Sequence, residues 1–541
     1  MMSRVGWCAL AVLMSLTGWP ADAASRNWPT AGGDRQNTRN QPATRISAAN
    51  VAHLAVAWEL GLTGNISATP AVQGRFLYVT DWGNLPAEGD APGGSLWKIN
   101  ADNGDVVWSR KIEEYTGIPG DFARGTPTIT GNKLIISNQA LRLVSGPDPD
   151  VRGYLMAVDK DTGDLVWRIV VDPHPAAGVT QSPAVFGNQV FVGTTSIEEL
   201  FSFDPTYPCC TFRSRVLAIE ASNGRVIWET AMVPLGYTGG AIWGSTPVVD
   251  PKRGLVYVAT GNNYSVPDEA QACITAATTE EEVRGCVDPD NYFDSIVALD
   301  WRTGVIRWTH SPMAYDAWTG GCAIAPDHPN CPAIPGPDYD FGQGPILVRT
   351  NDRGQERELL SAGQKSGDYW ALDPETGRVV WHEVVGPGGA FGGMVWEAAT
   401  DAERIYMAVA NSDGVPFELV DGTTIDHGFW SAINAATGEP VWQQPVPPGS
   451  FSLVFSGRPT AQGPITVAGD VVFAGSLAIG PDDPTMFALD AATGDILWQF
   501  ASGGSVNAGP AVVGDRVYWG TGYTFLDFGV ANNKLYAFEI Q

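Results

Sequence analysis

The chain is poor in positive charge. Only 32 lysines and arginines stand against 59 acidic residues in 541, a formal charge of −27 at neutral pH. A surface of that sign repels nucleic-acid phosphates and anionic membranes, so both are excluded as partners, while neutral ligands and cationic patches suit it. No CxxCH segment occurs, so the chain carries no covalent c-type haem. No GxGxxG opens a βαβ unit, which argues against a nicotinamide site. Long apolar runs are also missing. The run from Val5 to Leu16 is too short to span a bilayer. It follows Arg4 and precedes Ala21-Asp22-Ala23, the layout of a secretory signal peptide over residues 1–23. Its removal takes away Arg4 and Asp22 together and leaves the net charge unchanged. The expected location is periplasmic or secreted.

Cysteine is scarce too. Cys8 lies inside the signal segment, leaving Cys209, Cys210, Cys273, Cys286, Cys322 and Cys331 in the mature chain. An even number in an exported protein favours disulfides, and proximity suggests the pairs 209–210, 273–286 and 322–331. The adjacent pair in TYPCCTF is unusual. Neighbouring Cα atoms sit about 3.8 Å apart across a trans peptide, against roughly 4.4–6.8 Å for an ordinary disulfide. No histidine stands near them at zinc-site spacing, which weakens a metal reading.

What the chain has in quantity is glycine, proline and tryptophan, arranged in a repeat. KINADNGDVVW ends at Trp108, AVDKDTGDLVW at Trp167 and AIEASNGRVIW at Trp228. ALDWRTGVIRW, ALDPETGRVVW, AINAATGEPVW and ALDAATGDILW follow, ending at Trp308, Trp381, Trp442 and Trp498. Each reads as a strand, a turn with glycine where φ turns positive, and a second strand closed by tryptophan. A further strand pair precedes most copies, as in QSPAVFGNQVFVGT. Four short strands per repeat make a propeller blade. An eighth copy is split between NVAHLAVAWEL, with Trp58, and the C-terminal NKLYAFEIQ. Pairing the two would close a ring and remove its open edges. Residues 25–541 are therefore expected to form one all-β, eight-bladed propeller with TGxxxW tryptophans packed between blades. The longest intervals hold inserts at 262–294 and 312–345, which carry four cysteines and are expected to border a site.

WPTAGGDRQNTRNQP near the start, with YPCCTFRSRVLAIE, GQKSGDYWALDPETG and DAWT further on, gives the chain a resemblance over essentially its whole mature length. It resembles the quinoprotein alcohol dehydrogenases, and among them the polyvinyl-alcohol dehydrogenases. The resemblance implies an eight-bladed propeller binding pyrroloquinoline quinone (PQQ) and Ca²⁺. By motif, VFVGTTSIEE assigns a metal ligand to Glu198 and TGN assigns another to Asn262. IWGS makes Trp243 the floor under the flat cofactor. ARGTP gives Arg124 a cofactor carboxylate, Thr180 and Thr195 fall at hydroxyl contacts, and Asn411 in VANSDG is a further cofactor contact. GQKSG puts Lys365 beside the quinone oxygens, where a cation stabilises negative charge developing on reduction. Each of these residues also has an ordinary reading, as a turn, a surface charge or a blade-packing ring.

Two features depart from the family pattern. Many relatives carry the adjacent-cysteine ring just before the segment matching Arg124, where this chain reads GDFARG. Here Cys209-Cys210 follows Glu198 in the next blade, and is expected to wall the cofactor mouth from another direction. Many relatives also carry Asp-x-Trp-Asp, whose second Asp is the base. This chain has Asp316-Ala317-Trp318-Thr319, so Asp316 is expected to act as the base and as a third metal ligand. No further Asp follows two residues on, which favours Ca²⁺ over a lanthanide. The implied function is a dehydrogenase of secondary or polymeric alcohols, passing electrons to a separate c-type cytochrome or similar acceptor. The alternatives are oxidation of small primary alcohols by the same machinery, and a cofactor-free propeller acting as a scaffold.

Overall fold

The computed structural model describes residues 27–83, 93–139 and 151–541. The signal segment and Cys8 lie outside these. Eight antiparallel sheets follow one another along the chain, each built on four strands. In order, the blades span 71–111, 128–172, 184–231, 248–310, 346–384, 399–445 and 466–500, then 511–540 joined by Leu54–Gly61. Strand Leu54–Gly61 pairs antiparallel with Lys534–Ile540, so the first long strand and the last share one blade.

The local chemistry of the repeat explains the blade. In AVDKDTGDLVW the strand Gly153–Asp159 pairs with Leu165–Asp172. Between them, Asp159 Oδ1 accepts the amides of Asp161 and Thr162, while Gly163 takes φ +78°. Short polar side chains bonding their own backbone make such a turn self-sufficient. Inner strands such as Gln189–Gly193 are buried almost throughout. The outermost strands alternate, because one face meets the next blade and the other meets water.

Tryptophan joins blade to blade. Trp167 Nε1 donates to Ala221 O at 3.0 Å, Trp228 Nε1 to Trp301 O at 3.1 Å and Trp442 Nε1 to Ala491 O at 3.0 Å. Each acceptor opens the turn of the following blade. The same rings press on the turn glycine there. A Cβ at Gly494, where φ is +79°, would sit 2.6 Å from the Trp442 ring. The series closes on the split blade: Trp58 donates to Ala101 O, and Trp498 donates to Leu54 O at 2.9 Å.

Residues 29–41 seal one side of the hub. The carbonyls of Pro29, Arg35, Gln36, Thr38 and Arg39 accept amides from Ile129, Val249, Leu347, Thr400 and Val467. These donors lie on the innermost strands of blades 2, 4, 5, 6 and 7. Gln41 Nε2 then donates to Val512 O in blade 8. The segment therefore traces the ring from inside, with Arg39 wholly buried against Glu397.

Candidate cofactor and active site

Beyond the plug the hub opens into two chambers. The smaller holds about 450 Å³ and is lined by Ala31, Thr69, Gln181, Thr246, Glu397 and Asn507. Arg124, Thr180 and Trp396 line both this chamber and the larger cavity, of about 970 Å³, and so separate the two. The larger cavity has a cationic end, an acidic end and an apolar rim.

Arg124 makes the cationic end. Its guanidinium lies 4.6–5.7 Å from the ring centroids of Trp82, Phe525, Trp396 and Tyr523. Nη2 donates to Tyr523 Oη at 3.1 Å, while the buried Nε has no partner. Among the described residues no carboxylate pairs with it. A buried charge without a counter-ion is costly, so this arrangement suits an anionic ligand. Thr180 and Thr195 are buried in the same lining, with Thr180 Oγ1 donating to Gln139 Oε1 at 3.0 Å.

Trp243 is the floor. Its Nε1 donates to Asp340 Oδ2 at 2.8 Å, and its ring meets that of Trp396 edge-on at 5.4 Å. Gly342 leaves room for the ring, since a Cβ there would come within 2.8 Å of it. The Trp396 backbone itself has φ +63°, uncommon for a bulky residue and held where the cavity needs its ring.

At the acidic end, Lys365 Nζ lies 2.9 Å from Asp338 Oδ1, 2.9 Å from Asp340 Oδ2 and 5.4 Å from the centre of the Trp243 ring. Burial opposes the Lys365 charge, but Asp338 and Asp340 outweigh it and hold the ammonium protonated. Asp340 Oδ1 accepts the Asn262 amide at 2.7 Å. Glu199 also lines the cavity; its carbonyl accepts from Ser202 Oγ, while its carboxylate accepts no hydrogen bond from the described residues. Burial pushes its carboxyl up to about 8; Lys365 opposes the shift, while Asp340 and Asp316 add to it. Burial likewise raises Asp338, with Lys365 a partial offset.

Asp316 stands behind this end. It is fully buried and outside the lining, and its carboxylate accepts the amides of Asp338 at 3.2 Å and Tyr339 at 2.7 Å. Asp338 has φ +62°, so Asp316 fixes an uncommon backbone geometry that presents the Asp338 side chain. Asp294 packs against Asp316, and burial followed by that neighbouring carboxylate raises its own carboxyl far above the usual range.

The structure brings Arg124, Thr180, Thr195, Trp243 and Lys365 around one cavity. It does not bring Glu198, Asn262, Asp316 or Asn411 into that lining. Asn262 Nδ2 donates to Trp318 O, and Asn411 is bonded within its own loop, to Val415 and His427. Glu198 faces the other way, into the loop that carries the adjacent cysteines. Sequence reasoning missed Glu199, Asp338, Asp340 and Trp396. The available signal was the pair of acids in PGPDYDFG, beside a Gly-Gln turn. The three expected disulfides are present, at 209–210, 273–286 and 322–331. Insert 312–345 lines the cavity through Trp318, Gly320, Asp338 and Asp340, whereas insert 262–294 contributes only Tyr264. Phe203, Leu200, Phe391, Phe525, Leu526 and Phe528 make the apolar rim.

The family model described as "Outer membrane protein assembly factor BamB" (PQQ_2) matches residues 42–310 and 427–541. The chain is 29% identical over 536 residues to a polyvinylalcohol dehydrogenase from a Pseudomonas species, covering 92% of this chain and 73% of that one. It is 25% identical over 579 residues to a quinohemoprotein alcohol dehydrogenase of Comamonas testosteroni, covering 90% and 72%. A crystal structure of quinohemoprotein alcohol dehydrogenase from Comamonas testosteroni superposes with a TM-score of 0.67 at 20% identity, covering 96% of this chain and 81% of the other. A europium-containing methanol dehydrogenase superposes with a TM-score of 0.65 at 16% identity, covering 95% and 98%. These superpositions bear on the fold, and they agree with an eight-bladed propeller. Matched by that family model over more than half its length, the chain belongs to the PQQ_2 family of propellers, and its resemblance runs to the polyvinylalcohol and quinohemoprotein alcohol dehydrogenases.

Proposed function

We propose that this protein is a PQQ-dependent dehydrogenase that oxidises secondary or polymeric alcohols. The observation that carries the reading is Arg124, a buried cation with an unpartnered Nε in a cavity whose floor is Trp243. A flat tricyclic tricarboxylate fits that chemistry, with a ring to stack on, a guanidinium for a carboxylate, and the hydroxyls of Thr180 and Thr195 beside it. Calcium is assigned to the opposite end. Glu199 and Asp338 offer hard oxygen donors there beside Asp340 and Lys365, with protons that burial favours and a cation would displace, although among the described residues no three acids close on one point. Glu199 and Asp338 would hold the ion.

When bound, PQQ supplies the two-electron acceptor for alcohol oxidation, and Ca²⁺ supplies positive charge at the acidic end. Trp243 and Arg124 bind and orient. Lys365 holds positive charge between the floor and the acids. Asp338 takes the hydroxyl proton on Oδ2, the oxygen that Lys365 leaves without a hydrogen bond. Asp316, the base expected from the DAWT motif, acts through the loop it fixes. Phe391, Phe525, Leu526 and Phe528 exclude water and accept the carbon skeleton. Export to the periplasm places the protein where a separate c-type cytochrome takes the electrons, and the net negative surface suits a cationic carrier.

Calorimetry of the purified protein with PQQ and saturating Ca²⁺ tests the reading. Binding is expected, and its absence would return the protein to a cofactor-free scaffold. Turnover of polyvinyl alcohol oligomers and secondary alkanols should exceed that of ethanol. The reverse order would assign it to small primary alcohols.

A further inference from the structure

Glu198 and Glu199 open the short helix Glu198–Phe201 and point in different directions. Glu199 faces the cavity. Glu198 is fully buried, and its carboxylate is committed to residues 207–212. Oε1 accepts from Tyr207 Oη at 2.8 Å, from the Thr211 amide at 2.8 Å and from Thr211 Oγ1 at 3.2 Å. Oε2 accepts from the Thr211 amide at 2.9 Å and the Phe212 amide at 2.8 Å. His174 Nε2 stands 2.9 Å from Thr211 Oγ1 and 3.7 Å from Glu198 Oε1, closing the cluster from blade 2.

The loop so held contains the Cys209–Cys210 disulfide. Phe212 and Cys210 pack into one cluster with Ala241, Tyr264 and Trp243. Those last three line the larger cavity. One continuous path of contacts therefore runs from the Glu198 carboxylate, through the cystine loop, to the cavity floor. Carboxylate oxygens already engaged by four donors, with the Thr211 amide shared between both, have little capacity left for a cation.

We propose that Glu198 is a positioning residue. It anchors the Cys209–Cys210 loop behind the cavity lining and acts on Trp243 and Tyr264 through Phe212 and Cys210, without ligating metal. The identity of the cavity's ligand rests on the function proposed above; the anchoring of the loop does not.

The charge pattern dictates the test. Every group facing Glu198 donates, so in Glu198→Gln an amide NH₂ must face an N–H or O–H, at nearly unchanged size. Tyr207→Phe removes one donor and spares the acid. The readout is reduction of the ligand-free, metal-free protein by dithiothreitol. Its dithiol passes two electrons to Cys209–Cys210, giving two cysteine thiols and the cyclic disulfide of the reagent. Alkylation and peptide mass spectrometry then score each cystine separately. Relative to wild type, Glu198→Gln should speed reduction at 209–210 at least tenfold and Tyr207→Phe severalfold, with 273–286 and 322–331 unchanged as internal controls. PQQ affinity of Glu198→Gln, read by tryptophan fluorescence, should fall about tenfold and should not recover in excess Ca²⁺. Unchanged reduction rates in both variants would overturn the proposal, as would full recovery of PQQ affinity by added Ca²⁺, the signature of a metal ligand. Should Glu198→Gln fail to fold, the Tyr207→Phe rate decides. A wild-type protein that binds no PQQ would overturn the proposed function alone, leaving the reduction rates to decide the anchoring.

Discussion

Arg39 Nη1 meets Glu397 Oε2 at 2.6 Å inside the hub, with the arginine sealed from solvent and the glutamate nearly so. The guanidinium also donates to the carbonyls of Ala31 and Ile465, and Glu397 Oε1 accepts from Thr246 Oγ1. This pair ties the plug to blades 4, 6 and 7 at once. Burial pulls the Arg39 pKa down and Glu397 holds it up, so Glu397→Gln would strand a buried charge. Losing one partner of such a pair costs about 3–5 kcal/mol. A large fall in the urea midpoint is expected for Glu397→Gln; a midpoint like that of wild type would show that the hub tolerates the lone cation.

The docking of tryptophan on glycine predicts a contrast between two alanine substitutions. Gly494→Ala combines a positive φ with a Cβ pressed on Trp442, whereas Gly187 has φ +60° and open space around it. Backbone strain alone costs roughly 1 kcal/mol, and forced overpacking adds about 1–3 kcal/mol. Thermal unfolding should therefore drop much further for Gly494→Ala than for Gly187→Ala. Equal drops would assign the whole effect to the turn.

Arg124→Ala should remove PQQ binding more than any other single change at the cationic end. Truncating one side of a buried charge-assisted contact costs about 2–5 kcal/mol, and Arg124→Lys should recover part of it. Fluorescence titration reads both. A wild-type affinity in Arg124→Ala would mean that the ligand carboxylates lie elsewhere.

Asp338→Asn should retain PQQ, bind Ca²⁺ more weakly, and with Ca²⁺ saturating still lose about 10²–10⁴-fold in turnover, the usual contribution of a positioned base. Asp316→Asn should lose less, because one carbonyl oxygen remains to accept from the 338–339 amides. If Asp316→Asn were the more severely impaired of the two, the proton would be assigned to Asp316.

On the function proposed above, Glu199 would make calcium binding pH-dependent. Its carboxyl is pushed up to about 8, so below that pH the cation must displace a proton. Affinity should rise with pH up to about 8 and level off above it, with an apparent Kd at pH 7 about tenfold weaker than at pH 9. Calorimetry in buffers of different ionisation enthalpy would detect the released proton. Glu199→Gln should flatten the profile, and a profile unchanged by that substitution would detach the ion from Glu199.

The blades were legible because their information is local. A turn glycine, a short apolar strand and a tryptophan recur at fixed offsets, and for Trp167, Trp228, Trp308 and Trp442 the acceptor lies in the next copy of the same phrase. Arg124, Thr180, Thr195 and Trp243, singled out through the family resemblance, do line the cavity, because rigid blade geometry sets them near strand ends. The acidic end was not. Which of Glu198 and Glu199 faces the cavity depends on where the 207–212 loop docks, because neighbours on a helix point about 100° apart. Asp338 reaches the cavity only through the left-handed turn that Asp316 holds, and DAWT alone gives no sign of the partner loop some twenty residues on.

The pairing of Leu54–Gly61 with Lys534–Ile540 gives the molecule an order of assembly. The outer strand of the last blade is made before the first blade, whereas its three partners are made after the seventh. Until then blades 1 and 7 each lack a neighbour, and residues 29–41 have no completed ring to brace. The open ring would leave bare the apolar faces of blades 1 and 7 that blade 8 covers, with an unsealed hub, the kind of surface that recruits other chains. Stability is therefore withheld until the last strand is in place. Removing residues 534–541 should leave a chain that aggregates instead of a seven-bladed remnant.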